Sequence, residues 1–85
     1  MREVEAARGI LQSRDGLYDR EILQAYAMLA AWVEHYPQRA TRHDAHLLAQ
    51  WAHLGCAEYD RFLKLRRIAL ALLAHAFDQA ESDPR

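Results

Sequence analysis

Apolar and polar positions along this 85-residue chain repeat with the period of a helix, and no stretch alternates with the period of a strand. Between Leu17 and Tyr36, the residues Tyr18, Ile22, Ala25, Tyr26, Leu29, Val33 and Tyr36 fall on one face at about 100° per residue. Arg20, Gln24, Ala31 and His35 fall opposite, and Pro37 opposes continuation of the helix. Residues 42–54 repeat the pattern, with Leu47, Leu48, Trp51 and Leu54 on one face and His43, His46, Gln50 and His53 on the other. Thr41 is placed to cap that helix, with Asp44 reaching back as a capping box, and Gly55 is expected at its C′ position.

Two further helices complete the reading. A short one over 2–12 carries Val4, Ala7 and Leu11, is weakened by Gly9, and ends in a turn at Ser13–Gly16. A long one over 57–80 carries a stripe of Tyr59, Phe62, Ala69, Leu70, Leu73, Ala76, Phe77 and Ala80. Leu65, Ile68 and Leu72 widen that stripe to more than half of the circumference, and 81–85 is expected to fray. Helices joined by short loops predict one all-α domain over 1–85, a small antiparallel bundle of one short and three longer helices. The helix over 17–36 also carries Leu23, Met28 and Trp32 off its main stripe. A helix that is apolar on several sides requires burial on several sides. Apolar surface is therefore expected to remain on the monomer, for a second copy or another protein to cover, so the bundle is expected to be completed by oligomerisation.

Composition narrows the class. Apolar residues make up 52% of the chain, with three Gly and two Pro, which excludes a disordered or low-complexity segment. A net charge of −1 gives no global field toward nucleic acid or an anionic membrane, so any such binding needs a local patch. The longest apolar runs, Ala25–Val33 and Ile68–Phe77, fall short of the roughly 20 residues of a membrane span. The first residues, MREVEAARG, lack the apolar core of a secretory signal, and a single cysteine forms no internal disulfide. These features predict a soluble cytoplasmic protein, and the Ala- and Arg-rich usage suggests a bacterial one with a GC-rich genome.

Candidate chemistry is sparse. His46 and His53 share a face but sit seven residues apart, about 10 Å along the axis, too far for one ion. His43 and His46 are neighbours and would need further ligands, from Asp44, Glu34 or His35, to build a zinc site. Neither this set nor Cys56 matches a ligand spacing, so no metal or cofactor is expected and the histidines are read as a wet helix face. A basic cluster lies in RFLKLRR (Arg61, Lys64, Arg66 and Arg67), with Arg39 and Arg42 in the preceding loop. Glu58 and Asp60 are spaced to pair with it along the helix. Arg66 falls inside the apolar arc and must find a carboxylate, an aromatic face or the rim of an interface. No convergent set of nucleophile, acid and base is present, and no catalytic role is expected.

The function these features favour is a non-catalytic protein–protein interaction module: a homodimeric adaptor, inhibitor or chaperone-like accessory factor. Docking would use the apolar residues Met28, Trp32, Leu65, Ile68 and Leu72, with Arg61, Arg66 and Arg67 as polar determinants. The partner is expected to be protein, self or heterologous, and not a membrane. The alternative is a helix-turn-helix-like DNA-binding regulator built on residues 42–67, with Gly55 at the turn and Arg39, Arg42, Arg61, Lys64 and Arg67 as phosphate contacts.

Overall fold

A computed structural model describes residues 2–13 and 19–82 of the chain, with side chains through residue 76. Tyr18 and most of the expected turn at Ser13–Gly16 lie outside the described residues, as do the side chains of Phe77 and Ala80 and residues 83–85. The described chain is all helical. Its elements are α1 (Arg2–Ser13), α2 (Arg20–His35), a 3-10 turn (Pro37–Arg39), α3 (Arg42–Gln50), α4 (Ala52–Ala57) and α5 (Tyr59–Ser82). The helix continues through Glu81 and Ser82, where fraying was expected.

Local chemistry sets several of these boundaries. The Asp19 carboxylate accepts from the Ile22 amide at 2.8 Å and starts α2 with one orphan donor satisfied. Tyr36 leaves helical geometry, and Pro37 opens the 3-10 turn. Thr41 and Asp44 form the reciprocal capping box, each side chain accepting from the other's amide at 3.1 Å.

α2 is the element on which the others assemble. α1 and α5 each pack extensively on α2, α3 leans on both α1 and α2, and α4 supports the start of α5. Ile22, Leu23, Ala25, Ala27, Leu29, Ala31 and Trp32 are all buried, so α2 is enclosed around most of its girth. This corrects the one-face reading, which set Ala31 with the polar residues; Ala31 is fully buried because α2 is packed from more than one side. α5 behaves in the opposite way. Only Ala69 and Leu73 of its described side chains are buried, while Tyr59, Ile68 and Leu72 are more than half exposed.

The helix expected over 42–54 is two helices. It breaks at Trp51, whose backbone (φ −105°, ψ 10°) closes α3 and opens α4. Gly55 is not a left-handed terminator; it lies inside α4. A Cβ placed there would come within 3.3 Å of the Tyr26 ring, so glycine at this point permits close approach of α4 to α2. Trp51 itself is buried and its indole Nε1 donates to the Leu11 carbonyl at 3.0 Å, satisfying an orphan carbonyl in the last turn of α1. Together with Leu47 and Leu54, also buried, it forms the expected core face.

These anchors reveal the path of the chain. α3 and α4 carry it back along α2, from the Pro37 turn toward the end where Trp51 meets Leu11 and Gly55 meets Tyr26. α5 therefore starts near the beginning of α2 and runs in the same sense, as alternate helices of an up-and-down arrangement do.

Candidate functional site

A surface groove runs between α2 and α5. Its first part is walled by Arg20, Leu23 and Gln24 on α2 and by Arg61, Lys64 and Leu65 on α5. The second part, with a volume of about 310 Å³, is walled by Gln24 and Met28 on one side and Leu65, Ile68, Ala69 and Leu72 on the other. Gln24 and Leu65 belong to both parts, so the groove is continuous. Residue numbers rise together along the two walls, as the same-sense packing of α2 and α5 requires.

The groove exists because α5 packs on α2 through a narrow line. Ala69 and Leu73 face inward, and the Phe62 ring packs on Tyr26 with centroids 5.0 Å apart. Ile68 and Leu72, one helical turn apart, are then left 52% exposed. Four of the apolar interface candidates, Met28, Leu65, Ile68 and Leu72, are thus brought onto one surface. Trp32 is not part of it: it is 6% exposed, with its ring against Tyr36 at 4.8 Å. The enclosure of α2 turns this expected surface anchor into a core residue.

The basic candidates divide by position. Arg66 pairs with the Glu34 carboxylate of α2, which supplies the partner that its place in the apolar arc demanded. Arg61 lies 3.7 Å from Glu58 along the helix, both on the surface. Arg61 also stands with Lys64 and Arg20 at the basic end of the groove, and with Lys64 and Arg67 around a shallow depression on α5. Arg39 and Arg42 are exposed near the start of α3 and line neither feature. Arg20 was not foreseen at this site: in the sequence it reads as the polar side of α2, and only the packing of α5 brings it to Arg61.

His43, His46 and His53 are exposed on the outer face of α3 and α4. Among the described residues, no group of three or more His, Cys, Asp or Glu is placed to hold a metal ion. Cys56 is exposed and free. Asp44, the nearest acidic residue to His43, is fully buried in a structural pair. Arg8 grips it with both prongs of its guanidinium, Nε to Oδ1 at 2.7 Å and Nη2 to Oδ2 at 3.0 Å, and also pairs with Glu5. Burial pushes the Asp44 carboxyl up, but the Arg8 hydrogen bonds and the Thr41 amide outweigh it and hold the group below its usual value. Arg8 is in turn raised, chiefly by its hydrogen bond to Asp44. Sequence reasoning missed this pair, although Arg8 follows Ala7 and precedes Leu11 on the edge of the buried stripe of α1, a position that requires a counter-charge.

The turn that a helix-turn-helix places at Gly55 is absent from the described residues there, since Gly55 is helical and its Cα faces Tyr26. None of the described helices is long and apolar enough to cross a membrane. Comparison of the chain with protein families, curated proteins and solved structures gives no match.

Proposed function

We propose that this protein is a non-catalytic protein–protein interaction module, an adaptor, inhibitor or chaperone-like accessory factor whose helical bundle is completed by a partner. The observation that carries the proposal is the groove between α2 and α5, where Met28, Leu65, Ile68 and Leu72 form one surface with Arg20, Arg61 and Lys64 at its end. A small chain has few large aliphatic side chains to spend on its own core. Leaving Ile68 and Leu72 half exposed on its longest helix forgoes roughly 25 cal/mol for each Å² of apolar area left in water. Covering that area is the gain available to a partner, and the basic end supplies register and charge selection.

The test is capture of partners from the native host by the full chain, compared with Ile68→Glu/Leu72→Glu. The expected result is a protein retained by the wild-type chain and lost with the variant, with equal helicity of the two by circular dichroism. Identical profiles for both chains would overturn the reading. DNA binding remains the competing use of Arg61, Lys64 and Arg67. It predicts retention on random duplex DNA at low salt that falls steeply as salt rises.

A further inference from the structure

We draw no further inference here: the strongest candidate, the groove between α2 and α5 with the exposed cations Arg20, Arg61 and Lys64 at one end and Ile68 and Leu72 beyond them, belongs to the site already described, and nothing in the structure shows what covers it.

Discussion

Arg8 and Asp44 join α1 to the start of α3 across 36 positions of sequence, and their environments are unequal. The Asp44 side chain is wholly buried, whereas that of Arg8 is 21% exposed and has Glu5 as a second partner. Removing one side of a buried pair costs most when the group left behind is buried. Arg8→Ala is therefore expected to destabilise by about 3–5 kcal/mol, and Asp44→Ala by less, because the stranded arginine keeps water and Glu5. Urea unfolding of the two variants gives the order, and the reverse order would contradict this account. The pair also sets an acid limit. The Asp44 carboxyl is held below its unfolded value of about 3.9, so its stabilisation is present above that pH and is lost as pH falls through the lower folded value. Acid titration of the wild-type chain should show this loss below about pH 4, and Asp44→Asn should flatten it. The arginine is raised from an already high value, so its contribution persists across the whole neutral and alkaline working range.

Two glycines, both in helices, separate propensity from packing at the same scale. A Cβ on Gly9 meets nothing within 4 Å, so Gly9→Ala should gain about 0.5–1 kcal/mol. At Gly55 the same gain is opposed by the Tyr26 ring at 3.3 Å, so Gly55→Ala should be the less favourable of the two in thermal melts.

At the scale of the element, the break at Trp51 is the main departure from the periodic pattern. The apolar spacing of Leu47, Leu48, Trp51 and Leu54 fits one continuous helix, and that face is indeed the inner one. The continuity fails because the indole must reach the Leu11 carbonyl while Gly55 brings α4 against Tyr26. Both requirements come from other helices and leave no mark on local spacing. Trp51→Phe keeps most of the apolar volume but abandons that carbonyl, at an expected cost of about 1–3 kcal/mol. A melting temperature equal to that of wild type would show that the hydrogen bond does not hold α1 in place. The caps, by contrast, are local chemistry: Thr41 with Asp44 was readable three residues at a time, and the structure has that box.

At the scale of the whole molecule, α2 takes the central position that the width of its apolar arc and that of α5 had made available to either. The described chain extends 43 × 26 × 19 Å, elongated as a 24-residue helix packed along one side of a smaller assembly would make it. α5 is therefore open along much of its length, and the groove follows. If two copies close that groove, the thermal midpoint should rise with protein concentration and lose that dependence in Ile68→Glu/Leu72→Glu. Differential scanning fluorimetry across a 100-fold range of concentration, on the order of that needed to shift a dimer equilibrium by about 2.7 kcal/mol, provides the check.

The sequence alone determined the all-helical class, the Thr41 cap, the inward face of α3 and α4, the solvated histidines and an excess of apolar surface. Each follows from interactions within a few residues, where helical period and side-chain chemistry suffice. The tertiary structure decided what depends on which helices meet. It enclosed Trp32 and Ala31, matched Arg8 to Asp44 and Arg66 to Glu34, and made Gly55 a point of contact. It also packed α5 on α2 along a narrow line, which joins Arg20 to Arg61 and leaves Ile68 and Leu72 in the open. A hydrophobic arc records how much surface a helix must bury. Its direction of approach, and therefore which part of the arc stays uncovered, is fixed only when the neighbouring helices are in place.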